Sequence, residues 1–368
     1  MKLLVWQWGR RGAGPLLAAS LAAGFAALPR TEAALSLAAG AELLAGPDAP
    51  DCAWPVATYA GPAGLAVRAL AAPLLVAGLA RRVAALAPDL ALCAMPAALD
   101  GMMAATLARA RVPWAVIVHD ATPHPGDSAA FVRLIQARTM RRARALVALS
   151  RHVAARLAGD PASAGKTLLR ARLPPFVFEV APIPPPRAHG GALRLLCVGR
   201  LRAYKGLDLL ADALARLGPR DDLAVRIVGQ GPALPALARL RALPGVVIER
   251  RWVPEAEMAA LLAWADAVVL PYREASQSGL APAALAAGRW VLATAVGGLP
   301  EQLAGAPNGR LCAPEPDALA AAITALLAEP APLPVTPDAA AWRDEAASLR
   351  AGLEAALSGR QDQWPGIQ

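Results

Sequence analysis

Two cations stand where an anion could use them. The run Leu195-Leu-Cys-Val-Gly-Arg-Leu-Arg-Ala-Tyr-Lys-Gly206 reads as an apolar strand ending at Gly199, then Arg200, then Lys205 and Gly206 at the mouth of a helix. Two positive side chains at a strand end, beside a helix N-terminus, suit a diphosphate. The segment is not a P-loop, because G-x-x-x-x-G-K-[ST] is absent. Val228-Gly-Gln-Gly-Pro232 is a second strand-to-helix glycine turn. Further on, the strand 266–270 ends in Pro271, and Gln277, Ser278, Gly279 and Leu280 start the next helix. Open backbone N–H groups at such a start receive phosphate oxygens. Arg200 and Lys205 also admit a plainer reading as a solvated loop pair.

A second group lies earlier in the chain. His119 ends an apolar run beside Asp120, with His124 close by. His119 either works chemically there or caps a strand, and Asp120 either takes part or orients it. A zinc site from His119, Asp120 and His124 lacks a fourth ligand, and no metal is expected. Gly12 and Gly14 fall in a glycine-rich turn after the first strand, where they admit a ligand or simply make the turn. Arg10 and Arg11 precede them.

These residues need elements to hold them. Strands are expected at 2–8, 33–37, 89–94, 114–118 and 145–149, with helices at 15–28, 62–86, 97–110, 127–143 and 150–158. The stretch 181–191 has four prolines and two glycines and reads as a linker. Alternation then resumes, with strands at 193–199, 223–228, 246–249, 266–270 and 290–294. Helices are expected at 206–217, 232–242, 255–264, 280–287 and 316–328. Strands alternating with helices imply parallel sheets. The fold class is therefore α/β: two doubly wound Rossmann-like domains facing a cleft. The first spans 1–180 and the second 192–335. A helix over 336–358 is placed to cross back to the first, and 359–368 form a tail. Ligands in such sheets bind beyond the carboxyl ends of the strands.

Composition narrows the class. The chain has 368 residues, 56% hydrophobic and 18% charged, with net charge +9. That excludes a largely disordered protein and leaves room for about two domains. Lys2, Lys166 and Lys205 are the only lysines among 37 Lys+Arg residues. This alanine- and arginine-rich habit makes the net charge a poor guide to partners. No helix-turn-helix, zinc finger or aromatic stacking platform is present, so nucleic acid is not an expected partner. Cys52, Cys93, Cys197 and Cys312 form no C-x-x-C pair, which fits free thiols in a reducing compartment. Arg10 and Arg11 before the uncharged run 12–29 mimic a twin-arginine signal. The preceding apolar Lys2–Trp8 segment favours strand, loop and helix instead. No run is long and unbroken enough for a transmembrane helix.

The ordered set VGRLRAYKG, IVGQGP, ADAVVLPY, SQSG, AAGRWVLAT and VGGLPE resembles the retaining glycosyltransferases of family 4, with the glycosyltransferase-B fold. The likeness is strongest over 193–330. The first half resembles the family more loosely, through its glycine-rich turn and IVHDATPHPGD at 117–127. The resemblance implies a nucleotide-sugar donor in the second domain and an acceptor mainly in the first. It implies that Arg200 and Lys205 bind the donor diphosphate and stabilise the leaving group without a metal. It places Gly231 and the segment around Val253 on the donor, and the Ser278, Gly279 and Leu280 backbone on the distal phosphate. His119 would lie near the anomeric centre, with Gly12, Gly14 and Asp120 on the acceptor side. The nucleotide-sugar is a substrate, so no cofactor is implied.

One departure matters. The family commonly carries two glutamates around the helix of the 280s, and Ala283 and Ala284 stand where the second would fall. The sequence resembles instead a subgroup with A-[ST]-Q-S-G. That glutamate usually meets the ribose, and Gln277 is a neutral candidate for a donor-sugar contact. The expected activity is transfer of a hexose, with retention, to a glycan or lipid-linked saccharide in cell-surface polysaccharide assembly. The rivals are a sugar-nucleotide epimerase and a non-catalytic binding member of the fold. The expected location is cytoplasmic, peripheral at the inner membrane face. An anionic membrane is a candidate partner through Arg133, Arg138, Arg141, Arg142 and Arg144, among which Phe131, Leu134, Ile135 and Met140 interleave.

Overall fold

The structure, a computed structural model, describes residues 1–46, 48–122, 129–178, 185–332, 335–336 and 338–357. Its chain divides into two units. One holds the described residues up to Pro174 together with those from Ala339 on, and the other runs from Pro175 to Asp338.

The first unit is built on a six-stranded sheet. Its strands are β1 (Lys2–Gln7), β2 (Glu32–Leu37), β3 (Leu90–Cys93), β4 (Trp114–Val118), β5 (Ala145–Ala148) and β6 (Thr167–Arg170). The order is β2-β1-β3-β4-β5-β6 and every pairing is parallel. Leu4, Val5 and Trp6 are wholly buried, as are all of β3 and β5. Such unbroken apolar runs are the mark of strands covered on both faces. The helix Ala341–Leu357 belongs to this unit and packs on the helix Ala13–Ala26. A Cβ on Gly24 would stand 2.5 Å from the Trp342 carbonyl oxygen, so the two backbones meet there directly.

The second unit repeats the plan with β7 (Leu193–Val198), β8 (Leu223–Gly229), β9 (Val246–Arg250), β10 (Ala267–Leu270), β11 (Trp290–Thr294) and β12 (Gly309–Cys312). Their order, β12-β11-β10-β7-β8-β9, is also parallel throughout. Read from β7, it is the dinucleotide-fold order, and its direction reverses between β7 and β10. In the first sheet the reversal lies between β1 and β3.

Three features differ from the sequence expectation. The edge strands β6 and β12 were not expected. Each is four residues long and mostly part-exposed, so neither carries an unbroken apolar run. The expected helix 62–86 is two helices, Gly61–Leu70 and Ala72–Leu86, meeting at Ala71 with a bend of 72°. Pro73 lies in the first turn of the second, where a missing N–H is harmless. Of the expected linker 181–191, residues 181–184 lie outside the described residues. Its remainder is tied down rather than loose. Buried Asp266 accepts from the Arg187 and Arg194 amides at 2.5 and 2.8 Å, and His189 Nε2 stands 3.0 Å from it.

No single helix among the described residues is long and apolar enough to cross a membrane. The four cysteines are unpaired. Burial holds the Cys197 and Cys312 thiols up at about 11, so both stay protonated at neutral pH.

Candidate functional site

The candidate donor site gathers at the carboxyl edge of the second sheet, around its reversal point. β7 runs out at Val198, and Gly199 turns at φ 129° to release Arg200. The Arg200 guanidinium donates to the Tyr204 hydroxyl at 2.8 Å. The Lys205 ammonium lies 3.6 Å from the centre of the Tyr272 ring and 5.1 Å from that of Tyr204. Two aromatic faces therefore hold the lysine. Tyr272 is buried and its phenol shares a hydrogen bond with Ser278. Desolvation pushes that phenol far above its ordinary range, so it remains neutral beside the cation.

Gly206 makes this approach feasible. It turns at φ 65°, and a Cβ there would stand 1.7 Å from the Pro271 carbonyl oxygen. Only glycine lets the β7 exit pass that close to the β10 exit. The Arg273 amide then donates to the Tyr204 carbonyl at 2.8 Å, and its guanidinium pairs with Asp208 at 2.6 Å. Gly297 repeats the device at φ 56°, with a Cβ position 1.6 Å from the Ala275 carbonyl oxygen.

The other donor-side residues line the same edge. Gly231 follows β8 and lies against the Leu201 carbonyl, and its own carbonyl accepts from Arg250 at 3.1 Å. Val253 follows β9 and packs partly buried against the core formed with Val228 and Leu261. Arg251 beside it is held by Glu249 at 3.0 Å and Glu257 at 2.7 Å. Gln277 is only 5% exposed, and among the described residues neither its amide oxygen nor its amide nitrogen has a hydrogen-bond partner. A buried amide without partners is costly, and a missing ligand is one explanation for it.

The helix start at 278–280 is less open than its sequence suggests. The Ser278 amide donates to Gln302 Oε1 at 2.7 Å, and Gln302 Nε2 returns a bond to the Ser278 carbonyl at 3.0 Å. The Leu280 amide donates to the Ser278 hydroxyl at 3.3 Å. A phosphate would therefore have to displace Gln302 and the serine cap to use those two amides. Gly279 is the one of the three without such a partner among the described residues. Ala283 and Ala284, at the place of the absent glutamate, are both buried in the core.

The acceptor-side residues stand at the edge of the first sheet. His119 follows β4, and its Nδ1 is 3.2 Å from Asp120 Oδ1, each side chain about one-quarter exposed. Gln136 donates to the Asp120 carbonyl at 2.5 Å. His124 lies outside the described residues. Gly12 caps the helix Ala13–Ala26 at φ 81° with open space where a Cβ would be. Gly14 has a different task. A Cβ there would meet the Gln7 side chain at 2.7 Å, and Gln7 Oε1 in turn accepts from the Gly9 amide at 2.8 Å. Gly14 is buried packing beneath the loop rather than ligand-facing surface.

Sequence reasoning missed a cavity here. Trp8, Arg10, Arg11, Tyr59 and Gly61 line an open pocket of about 360 Å³ at the end of β1. Arg10 is steadied by the Gly40 carbonyl at 3.2 Å, and Arg11 pairs with Glu42 at 3.7 Å. No local signal joins Tyr59 to Trp8; only the sheet brings them together. Among the described residues, no group of three or more His, Cys, Asp or Glu is placed to hold a metal ion.

The match to a known family falls on the second unit. Residues 192–329 match the family model of the group 1 glycosyl transferases. That group 1 region contains β7 to β12 and every donor-side residue named above. A D-inositol 3-phosphate glycosyltransferase from Jonesia denitrificans is 36% identical over 128 residues, 32% of this chain and 30% of the relative. The chain thus spans under a third of the length of the curated relatives it matches. HepE from Anabaena, solved in complex with UDP and glucose, superposes with a TM-score of 0.66 at 21% identity, over 98% of this chain and 97% of that one. UDP-GlcNAc 2-epimerase from Neisseria meningitidis, bound to UDP-GlcNAc, gives 0.58 at 12% identity over 96% and 100%. These likenesses extend beyond the group 1 region to both sheets and establish the glycosyltransferase-B fold class. A transferase and an epimerase share it, so the fold alone does not choose between them.

Proposed function

We propose that this protein transfers a hexose from a nucleoside diphosphate sugar, with retention, to a saccharide acceptor. The observation that carries this reading is the pair Arg200 and Lys205 at the end of β7, on the reversal point of the sheet. A departing nucleoside diphosphate gains negative charge as the anomeric carbon–oxygen bond breaks. Two preorganised cations stabilise that charge as it develops. The acceptor hydroxyl forms the new bond on the same face, and its proton passes to the departing phosphate. Such a route needs no enzymic nucleophile and no metal. Gln277 supplies an amide donor and acceptor for the donor's sugar hydroxyls, which would satisfy its buried polar atoms.

The acceptor is assigned to the first unit. Arg10 and Arg11 beside Trp8 and Tyr59 suit a glycan or lipid-linked saccharide carrying an anionic group. His119, oriented by Asp120, is assigned a place near the anomeric centre. Surface polysaccharide assembly at the cytoplasmic membrane face is the setting that fits these substrates.

The epimerase reading would need acid and base carboxylates around the donor sugar. The acids near the β7 and β10 exits with a described ion pair, such as Asp208, are held by arginine. A binding member without turnover is the reading that buried Ala283 and Ala284 favour, since no carboxylate stands there for the ribose. One experiment separates all three. The protein is heated with a panel of nucleoside diphosphates, then incubated with sugar donors of whichever one stabilises it. Release of that nucleotide with a glycoside of unchanged anomeric configuration by NMR is the expected result. An epimerised donor, or stabilisation without turnover across acceptors, would overturn it.

A further inference from the structure

The bent helix pair Gly61–Leu70 and Ala72–Leu86 carries more apolar surface than the fold uses. Its inner face is accounted for: Val76, Leu79 and Val83 are buried in the core of the first unit. Its outer face is also apolar. Val67, Leu70 and Leu74 are 63%, 84% and 80% exposed, within one short stretch spanning the bend. Only four other large apolar side chains among the described residues are comparably exposed, and they are scattered over the chain. Ala63, Ala66, Ala69, Pro73 and Ala77 complete an outer surface without a polar group. A helix that is apolar on both sides is covered on both sides in its working state.

The charges around this face indicate what covers it. Between Asp51 and Asp89 there is no acidic residue, while Arg68, Arg81 and Arg82 all lie on the pair. Arg81 and Arg82 are exposed about two turns beyond Leu74. Arg68 and Arg82 are steadied by the Thr58 and Ala53 carbonyls, contacts that leave their charge uncompensated. Leucines projecting from a bend, bordered by arginines, match the headgroup region of an anionic bilayer. They match a protein partner poorly, because the face lacks the Trp and Tyr anchors that carry protein interfaces, and the arginine beside Val67, Arg68, is engaged by the Thr58 carbonyl. The buried Val76, Leu79 and Val83 keep the second helix in the unit, so the pair lies on a bilayer rather than crossing it.

The arginine-rich helix Ala129–Arg142 makes the contrast. Its described arginines are exposed, but Met140 is buried and Ile135 half-buried, leaving Leu134 as its one exposed large apolar side chain among those described. The Phe131 side chain lies outside those described; charge with a single described apolar side chain gives weaker, mainly electrostatic attachment.

We infer that residues 61–86 form a docking surface for an anionic lipid bilayer, with Val67, Leu70 and Leu74 inserted at the interface and Arg81 and Arg82 against the headgroups. The inference does not depend on which donor or acceptor the protein uses. The test is co-sedimentation of the full chain with phosphatidylglycerol or phosphatidylcholine vesicles. Wild type is expected to bind the former preferentially, and less so as salt rises. Leu70→Glu with Leu74→Glu should weaken binding about a hundredfold. Arg81→Ser with Arg82→Ser should cost about tenfold, confined to the anionic vesicles. Leu134→Glu should leave binding unchanged. All these side chains are solvent-exposed, so an unaltered circular dichroism spectrum and melting temperature report intact folding. Equal binding by wild type and the double glutamate variant would overturn the inference. So would loss of binding in Leu134→Glu alone, or a concentration-dependent dimer by light scattering that the double glutamate variant abolishes.

Discussion

The two sheets reverse direction at equivalent places and lock those places by different means. Between β1 and β3 the lock is a side chain. Asp100, buried at the start of the helix Asp100–Arg109, accepts from Trp6 Nε1 at 3.2 Å and the Ala97 amide at 2.5 Å, with Cys93 Sγ at 3.5 Å. Between β7 and β10 the lock is backbone on backbone, with Gly206 lying against the Pro271 carbonyl. A side-chain hub fills the space over the strand ends of the first sheet. A glycine contact leaves that space to Arg200 and Lys205. The second arrangement suits an anion held at the reversal point itself, whereas the first unit offers its cavity to one side, at Trp8 and Tyr59.

The sharpest way to break this comparison is to remove the two cations. Arg200→Ala with Lys205→Ala should lower donor turnover about a thousandfold, the scale of lost charge stabilisation in a transition state. The nucleotide-induced rise in melting temperature should vanish with it. The matching change in the first unit, Arg10→Ala, should raise the acceptor KM and leave nucleotide stabilisation intact. Equal loss of nucleotide binding in both variants would mean that the two edges do not divide the labour.

The locks themselves come next. Gly206→Ala faces both a left-handed φ of 65° and a carbonyl oxygen 1.7 Å from the new methyl. It should destabilise the protein by about 4 kcal/mol or more in urea unfolding. Gly12→Ala meets an unfavourable φ of 81° but open space, and should cost about 2 kcal/mol. If the two were equal, close approach at Gly206 would contribute nothing beyond its torsion.

The side-chain lock should respond to pH where the backbone lock cannot. Burial raises the Asp100 carboxyl from 3.8 to about 7, against the smaller lowering by its hydrogen-bond donors. The folded state therefore keeps a proton that the unfolded chain loses, and stability falls as pH rises from about 4 to about 7. The slope approaches 1.4 kcal/mol per pH unit in that window and levels off above it. Urea midpoints across the range should show this, and Asp100→Asn should flatten it. A midpoint that rises through the window in wild type would show that the hydrogen bonds outweigh burial.

How much of this was legible in the sequence follows from the same contrast. Gly199, Arg200, Lys205 and Gly206 lie within one short run, and spacing that local survives as a pattern. The strands of both sheets could be read as apolar runs wherever both faces are covered. The edge strands β6 and β12 could not, because each is only four residues long and Thr167, Arg170 and Arg310 interrupt its apolar run. Asp100 reads as an ordinary acid at a helix start, and nothing nearby ties it to Trp6. Tyr59 and Trp8 share a cavity only through the sheet. Gln302 reaches back 24 residues to take the Ser278 amide, which is why that helix start looked open.

The smallest expected effect is also the most specific. Gln277 keeps a buried amide with no partner among the described residues, which a resting protein gains nothing by holding. Gln277→Met retains the length of the side chain and removes its polar atoms. It should raise the stability of the unliganded protein by about 1 kcal/mol, read as a higher urea midpoint. It should also weaken binding of the intact sugar donor while leaving that of the free nucleoside diphosphate unchanged, because the proposed contact is to the sugar. Opposite signs on stability and donor affinity would identify a polar group kept for its ligand. Loss of stability in Gln277→Met would instead assign the glutamine to the packing of the β10 exit, and the backbone lock would then extend from Gly206 to the start of the next helix.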